Sequence, residues 1–492
     1  MPPLLLEINT RCWLGELSAK AGQSVTLASV PDAEVESWRA LGFTHIWLMG
    51  VWRSGPRARA QALASPQQRA GFSEALPDWR EEDVVGSPYA IAEYRVLDRM
   101  GGEAGLKAFR ARLKALGMKL VLDFVPNHFG IDCPWLASRP ELFVHADPSA
   151  DGAFRQSTNR GVEWLAHGRD PNFPAWADTV QLDYRRSETR AAMIEILKTV
   201  AAQCDGVRCD MAMLVLNAVF AKTWPASSGS QSPPESEFWS EAITAVRKSC
   251  SDFLFLAEAY WGLESRLQAL GFDFAYDKTL YDLLVLRHGG DVQRYLLSAP
   301  PESLSAGAHF LENHDEPRFA SLADWPKHRA AALVILGLPG LRFLHEGQLA
   351  GWKHRAPVQL IRRAVEPMDP EVAQGYRMLL DAVKKSPLVK GPARVVSPLA
   401  AWPGNPTLQN FILVHWESSG PESVLMAVNY ASHQGQCYVP LALPEVPARN
   451  WIVRDRLSSE EYVRQDDDLR ARGLYLDLVA YGSHLFDIRP AE

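Results

Sequence analysis

Two carboxylates follow short apolar runs of the chain in a pattern that could support chemistry at a sugar acetal. Asp210 lies in VRCDM and Glu258 in LAEAY, and both runs are typical of buried strands. Adjacent strands lie about 4.8 Å apart. This spacing is compatible with the roughly 5 to 5.5 Å between the carboxyl groups of retaining glycosidases. The pattern therefore predicts Asp210 as a nucleophile and Glu258 as a general acid/base.

Arg208 is the residue best placed to tune this pair. It lies two positions before Asp210, and side chains two apart on a strand share a face, so its charge could keep the aspartate ionised. Glu258 follows the apolar FLFLA segment, where partial desolvation could hold its proton near neutral pH. An ordinary ion pair or a helix cap is the alternative interpretation of any one of these side chains.

The elements that must position these residues are eight apolar runs separated by amphipathic helical stretches. Most runs carry their polar residues at the C-terminal end, which is where a (β/α)8 barrel places its chemistry. We therefore predict an α/β fold with a (β/α)8 TIM barrel, and a helix that begins at Ser187 with this serine as its cap. The runs are LLLEI near residue 5, THIWLMGV, KLVLDFV, DGVRCDMA, FLFLAEAY, FDFAYD, AHFLENH and LRFLHEG.

Two segments interrupt the alternation, and a third pattern begins near residue 390. Residues 129–179 are rich in Pro, Gly, Asp and Trp and predict a small inserted subdomain, and the Pro/Ser-rich PASSGSQSPPESE from Pro225 predicts a loop. Short alternating runs after residue 390 predict an antiparallel β-sandwich. The expected domains are a barrel over 1–128 and 180–388, an inserted subdomain over 129–179 and a C-terminal sandwich over 389–492.

Composition and charge favour a neutral partner. Lys and Arg number 51 against 58 Asp and Glu, and without a basic tract neither nucleic acid nor a membrane is an expected partner. The N-terminal MPPLLLEINTRCWLGE lacks a basic segment, and its apolar run is shorter than the roughly 20 residues of a membrane span. We expect a cytoplasmic protein. Six scattered cysteines, without a C-x-x-C pair, predict buried, reduced thiols.

Four motifs occur in order at the predicted strand ends. They are DFVPNH (123–128), GVRCD (206–210), AEAYW around Glu258 and ENHDEPR (312–318). They resemble the four regions of the α-amylase family, glycoside hydrolase family 13, which read D-x-V-x-N-H, G-x-R-x-D, a catalytic Glu and N-H-D. The resemblance covers essentially the whole chain, including the insertion and the C-terminal sandwich.

The resemblance implies a role for each matched side chain. Asp210 would be the nucleophile, Glu258 the acid/base, and Asp315 a third carboxylate that binds sugar hydroxyls and stabilises the transition state. His128 and His314 would hydrogen-bond the same sugar, although a buried structural imidazole is the alternative for each.

Two further matches come from Arg208 and from the segment PYAIAEY. Arg208 matches the family's arginine beside the nucleophile, whereas Asp123 and Asn127 match positions that are mostly structural. PYAIAEY aligns with G-Y-D-x-x-x-Y and places Tyr89 under the sugar at the cleavage site, although a core tyrosine is the alternative. The family's aspartate is Ala90 here, so Arg208 must be positioned differently.

Calcium ligation is a second departure from the family pattern. Many members use the equivalent of Asn127 as a calcium ligand, together with acids of the inserted domain and a basic, histidine-containing stretch after the nucleophile. Here MAMLVLN follows Asp210. Calcium needs roughly six to eight oxygen ligands, so we expect no metal site and no cofactor. Three aromatic residues near the end of the insertion are candidates either for sugar platforms or for packing: Trp164, Phe173 and Trp176.

The expected activity is retaining hydrolysis of α-glucans, maltooligosaccharides or small α-glucosides through a β-glycosyl-enzyme intermediate. An α-glucan transglycosylase and a glucosyl-disaccharide phosphorylase share the first half-reaction and stay open. A non-catalytic partner or binding protein is a different class, which the intact Asp210, Glu258 and Asp315 disfavour. The glycosidic linkage, chain-length preference and oligomeric state are left open.

Overall fold

A closed barrel of eight parallel strands forms the centre of the structure, a computed structural model that describes residues 2–225, 234–386, 391–418, 420–446 and 449–491. The strands are β1 (Leu4–Asn9), β2 (His45–Met49), β3 (Lys119–Phe124), β4 (Gly206–Cys209), β5 (Leu254–Ala257), β6 (Phe274–Tyr276), β7 (Gly307–Phe310) and β8 (Leu341–His345). Their order around the barrel follows the chain, and β8 pairs with β1. Each predicted run supplies one strand, so the predicted barrel is confirmed.

Burial on both faces explains why these strands are continuous apolar runs. One set of side chains fills the barrel interior, including Leu5, Trp47, Leu256 and Phe343. The alternate set packs outward against the surrounding helices. The few polar side chains of the strands and their ends must therefore find partners inside the protein.

Helices cover the outside of the barrel. The predicted helix forms at Ser187–Ala201, but the predicted serine cap is wrong. Arg186 holds the cap position without a side-chain bond, and the Ser187 hydroxyl donates to the Glu188 carboxylate instead. The other α-helices are Thr10–Ala21, Asp32–Leu41, Pro56–Ala64, Pro66–Ala75, Gly102–Ala115, Trp135–Ser138, Asn217–Thr223, Phe238–Arg247, Glu264–Ala269, Lys278–Leu286, Gly289–Ser298, Pro301–Ser305, Phe319–Leu322, Trp325–Gly337, Pro370–Lys385 and Asp466–Arg472.

An excursion between β2 and the helix Gly102–Ala115 was not expected from the sequence. Strands Trp52–Ser54 and Ile91–Val96 pair antiparallel at its base. Between them lie the helices Pro56–Ala64 and Pro66–Ala75, each with a proline in its first turn. The prediction of only two interruptions is therefore wrong. Both helices are short, and their few apolar residues gave a weak helical pattern.

The insertion after β3 contains strand pairs of its own. His128–Gly130 pairs with Thr179–Gln181 at its base, and Ala153–Thr158 pairs with Gly161–Ala166 in a hairpin. These pairs lie in or beside the segment expected over 129–179, whose bounds remain a prediction. The loop expected from Pro225 falls largely on residues 226–233, and the boundary at 388 and 389 also falls outside the described residues.

The C-terminal module consists of two antiparallel sheets. Its strands are β9 (Ala393–Val395), β10 (Phe411–Glu417), β11 (Ser423–Asn429), β12 (Gly435–Val439), β13 (Asn450–Asp455), β14 (Glu461–Gln465), β15 (Leu474–Leu478) and β16 (Ser483–Pro490). Six form one sheet in the order β9-β10-β11-β16-β13-β14, and β12 pairs with β15. An apolar core fills this module on one face. On the other, Trp416 Nε1 donates to the Gly337 carbonyl of a barrel helix at 2.8 Å.

The six cysteines were expected to be buried, reduced thiols. All six are free, and five are buried as expected, but Cys250 is exposed because it lies in the turn before β5. Across the part of the chain that the structure describes, no helix is both long enough and apolar enough to span a bilayer.

Candidate active site

The C-terminal end of the barrel brings the predicted site residues together. Asp210 directly follows β4 and Glu258 directly follows β5, and these two strands pair in the barrel. A cleft of about 270 Å³ lies at this end. Its lining includes Tyr89, His128, Asp210, Glu258 and Asp315. Larger cavities of about 570, 310 and 300 Å³ lie elsewhere, and Asp210, Glu258 and Asp315 are absent from the lining of all three.

Arg208 connects the two carboxylates of the predicted pair. Its Nη1 donates to Asp210 Oδ1 at 2.8 Å, and its Nη2 lies 2.8 Å from Glu258 Oε2. The guanidinium is completely buried. A buried cation held between two carboxylates fixes both side chains and offsets their repulsion.

Burial is the largest influence on the protonation of both acids. It raises the pKa of Asp210, against the charge and hydrogen bond of Arg208, which lower it. It raises the pKa of Glu258 to about 7, where Arg208 again opposes the rise and the charges of Asp210 and Asp315 add to it. A glutamic acid with a pKa near neutrality can hold a proton and deliver it, which is the requirement for a general acid.

Two hydrogen bonds orient Glu258. The backbone N–H of Met211 donates to Oε2 at 2.6 Å, and the Tyr260 hydroxyl donates to Oε1 at 2.9 Å. Met211 has a φ of 43°, a left-handed conformation that costs free energy in a non-glycine residue and is concentrated at functional sites. Sequence reasoning missed Tyr260, although its position two residues after the acid in AEAYW was a usable signal.

Asp315 lies beside a buried histidine. Its Oδ2 is 3.0 Å from His314 Nε2, and the Tyr89 hydroxyl lies 2.7 Å from the same nitrogen. On the other side of the ring, His314 Nδ1 lies 2.5 Å from Oε1 of Glu7, which follows the apolar LLL of β1 and is completely buried. Sequence reasoning missed Glu7, because it lies 307 residues from His314 along the chain.

These contacts determine the charges of the histidine and the aspartate. Burial acts to lower the pKa of His314, but the carboxylates of Asp315 and Glu7 outweigh it and raise that pKa well above its usual value. Burial acts to raise the pKa of Asp315, and His314 outweighs it and lowers that pKa to about 2. Asp315 is thus held ionised, with half of its side chain still open to the cleft.

Aromatic and imidazole rings also line the cleft. The Tyr89 ring stacks on His314 with centroids 5.2 Å apart. His128 is buried, and burial lowers its pKa to about 4, so it is neutral at neutral pH. Its ring contacts Trp176, which also lines the cleft, whereas Phe173 and Trp164 are not among the lining side chains. Of the three aromatic candidates, the structure brings Trp176 to the site.

The position of Arg208 is explained without the family aspartate that Ala90 replaces. The guanidinium lies 5.2 Å from the ring centroids of Trp47 and Tyr89, and Tyr276 supports it from a third direction. Asp123 Oδ1 is 3.8 Å from Nη1. The rings and the carboxylates of Asp210 and Glu258 therefore position the arginine.

Asn127, the residue aligned with a calcium ligand, makes its contacts within the protein. Gln181 Nε2 donates to its side-chain oxygen at 3.0 Å and to its backbone oxygen at 2.9 Å. Within the described ranges, no group of three or more His, Cys, Asp or Glu side chains is arranged to hold a metal ion.

Comparison with known proteins places the chain in a family. A family model described as "Alpha amylase, catalytic domain" matches residues 35–375. Alpha-amylase MalA of Haloarcula japonica is 26% identical over 285 residues, which cover 56% of this chain and 38% of MalA. The 1,4-alpha-glucan branching enzyme GlgB of Bordetella bronchiseptica is 26% identical over 393 residues, which cover 73% of this chain and 47% of GlgB. The matched regions therefore span less than half of either relative.

Solved structures agree with this assignment at the level of the fold. The noncanonic maltogenic alpha-amylase AmyB from Thermotoga neapolitana superposes with a TM-score of 0.69 at 17% identity, over 100% of this chain and 99% of that one. The family model covers well over half of the chain, within the barrel that carries the four motifs. The chain belongs to the α-amylase family, glycoside hydrolase family 13.

Proposed function

We propose that the protein hydrolyses α-glucosidic bonds with retention of anomeric configuration. The observation that carries the proposal is that one buried guanidinium, that of Arg208, contacts both Asp210 and Glu258 at 2.8 Å. It holds the two carboxylates beside each other at the ends of paired strands, an arrangement that supports a double displacement.

The first half-reaction assigns one task to each acid. Glu258 donates its proton to the glycosidic oxygen while Asp210 attacks the anomeric carbon, so the bond to the leaving sugar breaks as the bond to Asp210 Oδ forms. The resulting glycosyl ester has β configuration. The pKa of Glu258, raised to about 7 chiefly by burial, supports the acid role, and the Arg208 hydrogen bond favours ionised Asp210.

The second half-reaction uses the same groups in reverse. Glu258, now ionised, removes a proton from water, and the water oxygen attacks the anomeric carbon and displaces Asp210. The acid regains its proton, and the product has the α configuration of the substrate. Asp315 and the charged His314 would bind hydroxyls of the reacting sugar, with Tyr89 beneath its apolar face.

The substrate range we propose is α-glucans, maltooligosaccharides and small α-glucosides. The relatives' names, an α-amylase and a 1,4-α-glucan branching enzyme, support an α-glucosidic oligosaccharide as the partner. The branching enzyme also keeps transglycosylation open, because an acceptor sugar can replace water in the second half-reaction. Phosphate could replace water in the same way in a phosphorylase.

The test follows the anomers of the products. Wild type and Asp210→Asn are incubated with maltose, maltotriose, longer maltooligosaccharides, trehalose and sucrose, with and without phosphate, and products are followed by proton NMR. Initial α-anomers that disappear in the variant support the proposal. Longer products indicate transglycosylation, and glucosyl phosphate indicates phosphorolysis. Initial β-anomers, or full activity in the variant, contradict the mechanism, and inactivity of wild type on every substrate favours the non-catalytic alternative.

A further inference from the structure

Two segments outside the barrel pair with each other above the cleft. Residues 83–85, from the excursion after β2, lie antiparallel to residues 359–361, which follow β8. The N–H of Val85 donates to the Gln359 carbonyl at 3.0 Å, and the N–H of Ile361 donates to the Asp83 carbonyl at 2.9 Å. These two paired segments are termed the latch.

Ion pairs of Arg362 with Asp83 and Asp78 join the two sides of the latch. Arg362 Nε and Nη2 donate to the two carboxylate oxygens of Asp83 at 3.1 and 2.9 Å. Its Nη1 donates to both carboxylate oxygens of Asp78, at 3.0 and 2.9 Å. Bidentate contacts of this kind specify geometry as well as attraction, so the excursion and the segment after β8 are fixed to one another.

An apolar cluster packs beneath the latch. Val84 and Leu360, which face each other in the latch, are completely buried together with Phe72 of the helix Pro66–Ala75. The same cluster includes Ala62 and Leu76. The latch therefore packs on a small apolar core that joins it to the helix Pro66–Ala75. The latch and this helix together are termed the wall.

Two glutamines of the wall line the cleft. Gln359 of the latch and Gln68, four residues before Phe72 on the same helix face, both line the cavity that holds Asp210 and Glu258. Gln68 Oε1 is buried and accepts no hydrogen bond from any of the residues that the structure describes. A buried acceptor without a donor is costly unless a ligand hydroxyl supplies one.

The order of the strands shows which side of the cleft the wall closes. The excursion follows β2 and the second latch segment follows β8, and these strands flank β1, which lies opposite β5 in a ring of eight. Glu258, at the end of β5, must face the oxygen of the leaving sugar. The wall therefore lies away from the leaving group, on the side of the sugar that becomes bound to the enzyme.

We propose that the latch closes the cleft beyond one sugar, so that the enzyme removes single glucosyl units from non-reducing ends. Gln68 Oε1 accepts a hydrogen bond from the 4-hydroxyl of the terminal unit, the position through which an α-1,4-linked chain would continue. The cleft is small, at about 270 Å³, just below the roughly 300–1,000 Å³ of typical small-molecule pockets. The inference rests on the proposed function and adds to it the end of the substrate at which the enzyme acts.

The test compares maltotetraose with the same oligosaccharide blocked at its non-reducing end by a 4,6-O-ethylidene group. We expect wild type to release glucose and maltotriose first from the intact substrate, and to cleave the blocked one about 100-fold more slowly or worse. Equal cleavage of both, with internal products, overturns the inference and leaves the proposed function standing. Inactivity towards intact maltotetraose and p-nitrophenyl α-glucoside together overturns the proposed function itself.

Two variants assign the effect to the wall. Gln68→Ala should lower kcat/KM for p-nitrophenyl α-glucoside about tenfold, and should lower it little for the 4-deoxy analogue. Arg362→Ala should raise cleavage of blocked relative to intact maltotetraose. Arg470→Ala, which removes an arginine paired with Asp466 in the C-terminal module, is the matched control and should leave that ratio unchanged. An equal tenfold loss on both p-nitrophenyl substrates contradicts the role of Gln68.

Discussion

The barrel mouth and the C-terminal sheets both bury their interiors, but they bury opposite kinds of side chain. At the mouth, Arg208, Glu258 and His314 are at least nine-tenths buried and charged or chargeable. The core between the C-terminal sheets is apolar, with Leu425 and Trp451 among its completely buried members. Buried charges stabilise a fold weakly even when paired, whereas apolar burial stabilises it directly. Chemistry and stability are thus separated in this molecule.

The largest effect is expected from removal of the proposed nucleophile. Asp210→Asn should lower kcat by about 10⁴-fold or more, because the glycosyl ester cannot form. The melting temperature should stay at or above that of wild type, since the change removes a buried carboxylate while Arg208 keeps its contact with Glu258. Steady-state kinetics and thermal unfolding measure the two effects.

A matched change in the C-terminal module controls for this result. Asp477→Asn replaces an exposed aspartate in β15 and should leave both kcat and the melting temperature unchanged. A strongly lowered melting temperature in Asp210→Asn would show that the charged mouth stabilises the fold, and the separation of chemistry from stability would be wrong.

The reverse effect is expected from the apolar core. Leu425→Ala in β11 should lower the free energy of unfolding by about 2–5 kcal/mol, because it leaves a cavity at a completely buried position. Its kcat per folded molecule should equal that of wild type, since this face of the sheet points away from the barrel. Denaturant unfolding gives the stability and active-site titration the folded fraction. A lowered kcat in fully folded protein would couple the two regions.

The same contrast explains what the sequence could reveal. All eight barrel strands were predictable because strands buried on both faces leave continuous apolar runs, and the acids at the ends of β4 and β5 stand out against them. The C-terminal strands were predictable from alternation. Both signals are local and depend only on the neighbours of each residue along the chain.

Contacts between distant segments were not predictable in this way. Glu7 contacts His314, which lies 307 residues away along the chain. Gln68 lies beside the latch, whose two segments are also far apart in the sequence. The helix that carries Gln68 is short and weakly apolar, so even its existence was missed. The residues that the sequence did not reveal are therefore mostly those that position the site residues, such as Glu7, and those that bound the cleft, such as Gln68.

A moderate effect is expected from the support of His314. Glu7→Gln removes a negative charge that raises the pKa of His314, so that pKa should fall. A less charged His314 should raise the pKa of Asp315 from about 2, and also that of Asp210, which the charge of His314 lowers. The acid limb of the kcat/KM profile should then move to higher pH, with a loss of up to about 100-fold from misplacement. An unshifted acid limb, with the fold verified by circular dichroism, would mean that Glu7 only fills space.

The smallest expected effect concerns Glu258, the proposed general acid. Tyr260 donates to Glu258 Oε1, and this bond favours the ionised carboxylate. In Tyr260→Phe the pKa of Glu258 should therefore rise above about 7, and the alkaline limb of kcat/KM, which reports loss of the protonated acid, should move up by about half to one pH unit. Tyr462→Phe, at a tyrosine of the C-terminal module that also donates to a glutamate, is the control and should leave the profile unchanged. Since Tyr260→Phe changes one hydrogen bond at the mouth and nothing in the apolar core, it should shift the pH profile while the free energy of unfolding stays within error of wild type. A downward shift of the alkaline limb would mean that Tyr260 stabilises the protonated acid instead, and the assignment of its hydroxyl as donor would be wrong.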